Sequence, residues 1–76
     1  MPRLSEAPIN KLLRINKIHC DKKMCRRLQS LGFTKDALFT LMKNDNGDVI
    51  AILGAQKIAI NAVVASKICV REVVDE

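Results

Sequence analysis

The sequence predicts a mostly β fold: a small five-stranded barrel with one short helix after the first strand and one helical turn before the last. Three observations predict it. Five short runs carry strand-like apolar patterning, tight turn signals separate most of them, and only one longer stretch has helical spacing. Strands this short favour a closed barrel, because closure removes exposed edges.

The first strand lies within Leu12 to Ile18. Leu13 and Ile15 share one alternating phase and Ile18 falls in the other, so the strand should be bent or bulged. Asp21 is a good N-cap, and Met24, Leu28 and Leu31 then form the i, i+4, i+7 stripe of a helix over Lys22 to Leu31. Gly32 should end it in a left-handed conformation, with Phe33 packing back on the last turn.

Past Thr34-Lys35-Asp36 the period becomes two, with Phe39 and Leu41 on one face and Leu38, Thr40 and Met42 on the other. Asn44 to Asp48 contains Asn-Gly, a hairpin signal, so Val49 to Leu53 should run antiparallel to the second strand. Gly54 marks a further reversal before Lys57 to Ile60. Asn61 can cap a single turn over Ala62 to Ser66, and Ile68 to Val73 forms the last strand. Asp75 and Glu76 read as a frayed tail.

Size and composition narrow the function. The 76 residues suit one domain, residues 1–76, with a single thin core. Hydrophobic residues make up 49% of the chain but include only two aromatics, Phe33 and Phe39, so the core must be largely aliphatic. Such a core leaves little stability to spend on a deep catalytic cavity. Met1 to Lys11 does not resemble a signal peptide, and no apolar run approaches the roughly 18 residues of a membrane span. The chain is therefore expected to be cytoplasmic, without membrane insertion. Three cysteines, an odd number, fit reduced thiols in that compartment better than a disulfide framework.

A metal site can be sought among His19, Cys20, Cys25 and Cys69, which are suitable ligand types. Their spacing is poor. His19 and Cys20 point to opposite faces if both are on a strand, and Cys20 and Cys25 are about 140° apart if both are on a helix. A common ion would require Cys20 to sit in the turn ahead of the helix. Free cysteine is often a small buried hydrophobe, and Cys69 reads that way in the last strand. His19 lacks the nucleophile and orienting acid of a general base, and the three glycines form no phosphate-binding loop. The expected reading is a non-enzyme with no required cofactor.

Charge is unevenly spread. Met1 to Lys35 holds nine Lys or Arg against two acids, about +7, and Asp36 to Glu76 holds four against six, about −2. Such a dipole suits a basic face turned to an acidic partner, although solubility alone also accounts for a modest lysine excess.

Over nearly its whole length the chain resembles the ferrous-iron transport protein A (FeoA) family. Leu4-Ser5-Glu6 is similar to that family's opening LSEL, and Arg14-Ile15-Asn16-Lys17-Ile18 to its first-strand pattern. Arg26-Arg27-Leu28-Gln29-Ser30-Leu31-Gly32-Phe33-Thr34 resembles the RRLxxLGhT helix exit, where h is apolar. Gly47 to Ile52 resembles GDPIxI, and Ile58 to Ile68 resembles hALRxxxAxxI. Asp36 stands where the family usually has Gly, Val49 where it often has Pro, and Asn61 where Arg is frequent. Asn10 and Leu13 occupy further usual Gly positions.

The resemblance implies an SH3-like barrel that supports ferrous-iron uptake by docking on the cytoplasmic part of the membrane transporter FeoB. It would regulate or stabilise that transporter and lie peripheral to the inner membrane through it. With the resemblance, Lys22, Lys23, Arg26 and Arg27 become the expected partner-binding face; on charge alone an ordinary solvated face is the better reading. Alternatives are a nucleic-acid-binding barrel and a transition-metal carrier or sensor with weak ferrous-iron binding. The first is disfavoured by the scarcity of aromatics for base stacking. Homo-oligomerisation through an edge strand stays open.

Overall fold

The computed structural model describes residues 2–74. The frayed tail expected at Asp75 and Glu76 lies outside them. A 3-10 turn, η1 (Leu4–Glu6), opens the chain, followed by β1 (Leu13–Ile18), α1 (Lys22–Ser30), β2 (Leu38–Asp45), β3 (Asp48–Leu53), β4 (Gln56–Ile60), α2 (Ala62–Ala65) and β5 (Ile68–Glu72). All pairings are antiparallel, in the order β4-β3-β2-β1-β5.

Inward alternation builds the core. Leu13 and Ile15 of β1, Phe39 and Leu41 of β2, Val49 and Ala51 of β3, Ile58 and Ile60 of β4, and Ile68 and Val70 of β5 are all buried. The phase change in β1 is a bulge: its register with β5 shifts between Ile15 and Lys17. The extra residue lets Ile18 also pack on the core, which strict alternation would forbid.

β1 and β2 pair only through Leu13 with Phe39 and Arg14 with Leu38. Beyond that corner β1 continues against β5 and β2 against β3, so the sheet folds over on itself as an SH3-like barrel. The hydrogen-bonded ladder is not closed. Full closure is the expectation from the sequence; the strand order instead leaves β4 and β5 as the ends of the ladder, with η1 packed on β5, β3 and α2. Leu4, fully buried, and Ala7 join the core from this segment. Arg3 bridges Cys69, and the Val70 N–H donates to the Pro2 carbonyl at 3.0 Å, covering part of the β5 edge.

Caps form where the sequence places them. Asp21 Oδ1 accepts from the Met24 N–H at 2.8 Å, and Asn61 Oδ1 from the Val64 N–H at 2.9 Å. At the other end of α1, Gly32 has φ +96°, with its N–H donating to the Gln29 carbonyl and the Phe33 N–H to the Leu28 carbonyl, each at 2.9 Å. These two bonds are the Schellman pattern, and they turn Phe33 inward. Its ring is fully buried and meets Phe39 edge to face at 5.6 Å.

Two of the departures from family glycine are explained by the backbone. Asn10 (φ 59°) and Asp36 (φ 70°) hold the left-handed conformation that glycine takes at low cost, and Asn and Asp tolerate it better than other side chains. Leu13 is an ordinary strand residue. The Asp36 contacts run through its backbone: its N–H donates to the Ile15 carbonyl at 2.8 Å, and its carbonyl accepts from Arg14 Nη1 at 3.5 Å. Asp36→Gly should therefore stabilise the domain by about 0.5–1 kcal/mol, a rise of several degrees in thermal melting, since it relieves backbone strain and removes no bond. A fall in melting temperature would contradict this account.

Candidate docking face and thiol pair

Helix α1 lies across the barrel with a different chemistry on each flank. Its apolar stripe faces in: Leu28 is buried, while Met24 and Leu31 are half-buried and pack on the core. Together with Ile58, Ile60 and Val64 they line a cleft of about 160 Å³. Lys22, Lys23, Arg26 and Arg27 are all exposed, in two i, i+4 columns: Lys22 and Arg26 face away from the stripe, while Arg27 borders it and lines the same cleft. Among the described residues none of the four is in an ion pair. The cations are held by a helix fixed at the Asp21 cap, at the leucines and at Gly32, so their backbone positions are set before any partner arrives. Arg27 also suits its place in the last turn, where the helix dipole is negative.

On the other flank, Cys25 and Gln29 line an open groove of about 600 Å³ between α1 and β1, with Lys17 and Lys35 also on its walls. Cys20 sits in the turn ahead of α1, and its Sγ is 2.9 Å from Cys25 Sγ. The Cys25 thiol also points at the Cys20 carbonyl at 3.4 Å. With its proton so engaged, Cys25 accepts the Cys20 proton between the sulfurs. Burial first, then this hydrogen bond and the nearby Cys25 and Asp21 charges, push the Cys20 thiol up to about 11, against a smaller opposing effect of Lys67. Both sulfurs are free thiols.

Of the four candidate metal ligands, the fold brings together only Cys20 and Cys25. His19 is exposed, and its N–H is tied to the Lys67 carbonyl at 2.7 Å. Cys69 departs from the expected buried position: it is half-buried on the outward phase of β5, because Ile68 and Val70 take the core. Among the described residues no three His, Cys, Asp or Glu side chains gather as an ion site. Periodicity missed Asn44, which ties the N-terminal segment to the hairpin. Its Nδ2 donates to the Ser5 and Ala7 carbonyls at 3.1 and 3.0 Å, and its Oδ1 accepts from the Gly47 N–H at 2.9 Å. No local spacing rule could have found partners 39 and 37 residues away.

Five antiparallel strands with one basic helix define the class: a small SH3-like β domain. The family model for the FeoA domain matches residues 3–72, and the chain belongs to that family. Membership places it in ferrous-iron transport. Among solved structures, an iron uptake regulatory protein (FeoA) is similar at TM-score 0.85 and 23% identity, covering 95% of this chain and 97% of that one. Iron(II) transport protein A from Clostridium thermocellum reaches TM-score 0.85 at 18% identity, over 95% of this chain and 46% of that chain. The FeoA protein from Chlorobium tepidum reaches 0.84 at 19% identity, over 99% and 74%. Comparison with curated protein sequences yields no match. Among the described residues no helix is long and apolar enough to cross a membrane.

Proposed function

We propose that this chain is a non-catalytic cytoplasmic accessory of ferrous-iron uptake, docking through Lys22, Lys23, Arg26 and Arg27 on the cytoplasmic part of a FeoB-type transporter and regulating or stabilising it. The single observation that carries the docking face is the exposure of all four cations on a helix anchored through its apolar stripe. Arg and Lys held on a rigid helix lose little backbone freedom on meeting an acidic surface, and Arg can fork two bonds to one carboxylate. Family membership supports the iron-transport setting. The nucleic-acid alternative is weakened by the packing, because Phe33 and Phe39, the chain's only aromatics, are both buried and present no ring for a base to stack on.

Co-purification with the transporter's cytoplasmic portion, with and without guanine nucleotide, tests the reading. The expected result is capture that weakens as salt rises, as for an electrostatically guided contact. No capture under any nucleotide condition at low salt would overturn it.

A further inference from the structure

We propose that Cys20 and Cys25 form a thiol–disulfide exchange site that closes to an intramolecular disulfide in response to small peptidyl disulfides of the oxidised-glutathione class. The site lies on the flank of α1 that faces β1, beside the Lys22–Arg26 column, and does not depend on the docking reading. Three observations converge. The sulfurs are already 2.9 Å apart, so reaching a bond of about 2.05 Å takes a closing movement of less than about 1 Å. Both segments are held in place, Cys25 by the capped first turn of α1 and the Cys20 turn by the neighbouring His19 N–H on the Lys67 carbonyl. Cys25 alone of the two also lines the open groove, whose Lys17 and Lys35 suit the carboxylates of a small peptide.

The geometry gives each sulfur a different part. Cys25, reached through the groove, gives up its proton to water and attacks one sulfur of the external disulfide; a Cys25–glutathione bond forms, the sulfur–sulfur bond of the external disulfide breaks, and the first glutathione leaves as thiolate and takes up a proton. In the free protein Cys20 holds its proton, because burial and Cys25 both disfavour its charge. Once Cys25 is in the mixed disulfide its hydrogen bond and charge no longer hold the proton on Cys20; burial and Asp21 still do, Lys67 opposes them, and the 2.9 Å placement of the two sulfurs drives the second step. Cys20 then attacks Cys25 Sγ, forming the internal bond and releasing the second glutathione. Two protons and two electrons pass from the protein thiols to one oxidised glutathione, giving two reduced molecules. Cys69, on β5, makes no thiol contact among the described residues and remains reduced.

The full chain is equilibrated in buffers of varied reduced-to-oxidised glutathione ratio, quenched in acid, alkylated and mapped by mass spectrometry. The expected result is loss of two of the three free thiols, joined as Cys20–Cys25 within one chain and recovered with excess reduced glutathione. Cys20→Ser should instead stop at one glutathionyl group on Cys25. Retention of both thiols at every ratio would overturn the proposal. So would modification of Cys69 as fast as Cys25, or oxidation that yields only chain-to-chain disulfides. The wild-type mapping decides the question even if the serine variant folds poorly.

Discussion

Arg26→Glu combined with Arg27→Glu should weaken capture of the transporter's cytoplasmic part by about tenfold to a hundredfold at low salt. Each exposed ion pair is worth only about 0.2–1 kcal/mol, but reversal removes two attractions and adds two repulsions, so about 1.5–3 kcal/mol is at stake. The loss should shrink as salt rises, since exposed charges are screened within about 8 Å at physiological ionic strength. Stability should change little. Both side chains are exposed, and the main cost is a glutamate at the negative end of the helix dipole, about 0.5 kcal/mol. Measurement of affinity by titration alongside thermal melting separates the two effects. Unchanged affinity in a folded double variant would remove α1 as the docking face, while leaving the iron-transport setting intact. Lost affinity with a collapsed melting transition would mean that the helix had failed and the face had not been tested, in which case Lys22→Glu with Lys23→Glu takes its place.

Legibility of the fold followed the range of the interactions. The bulge in β1 could be read because Ile15 and Ile18 are three apart and both apolar, a local contradiction of strand period. The β2–β3 hairpin was legible in Asn46-Gly47, which sit between paired Asp45 and Asp48 with φ of 52° and 97° and match a two-residue primed turn. The caps at Asp21, Asn61 and Gly32 are likewise decided within a few residues of chain. What could not be read depends on distant chain. Leu4 looks like any apolar residue near a terminus, and only the packing of η1 on β5, β3 and α2 gives it a fully buried place.

The candidate site divides along the same line. The basic columns of α1 follow from helical period, so they were visible as a pattern before their exposure was known. The thiol pair did not follow. Helical geometry alone separates positions 20 and 25, and the contact exists because Cys20 lies in the turn before the Asp21 cap, where the backbone folds back over the first turn. Spacing could state that condition but could not show that it was met. Cys69 differs in the opposite sense: alternation in β5 gives both inward positions to Ile68 and Val70 and leaves Cys69 on the outward phase.

Gly47→Ala should lower the stability of the domain by about 3 kcal/mol, a large part of the roughly 4–11 kcal/mol that a chain of this length commands. Two costs add. The backbone at φ +97° charges any L side chain about 1–2 kcal/mol, and a Cβ there would sit 2.9 Å from the Ala62 Cβ and 3.3 Å from the Ser5 Cβ. Neither neighbour can swing aside. Ala62 is the first residue of α2, its N–H fixed on Asp48 Oδ1 at 2.7 Å, and Ser5 is in η1, held through its carbonyl by Asn44. The new methyl would therefore press η1 and α2 away from the hairpin turn. Gly54→Ala isolates the backbone cost, because Gly54 also has positive φ but a Cβ there meets nothing within 4 Å. That variant should lose only about 1 kcal/mol. Denaturant melts of the two variants give the comparison. Equal losses would mean that the contact with α2 and η1 carries no energy.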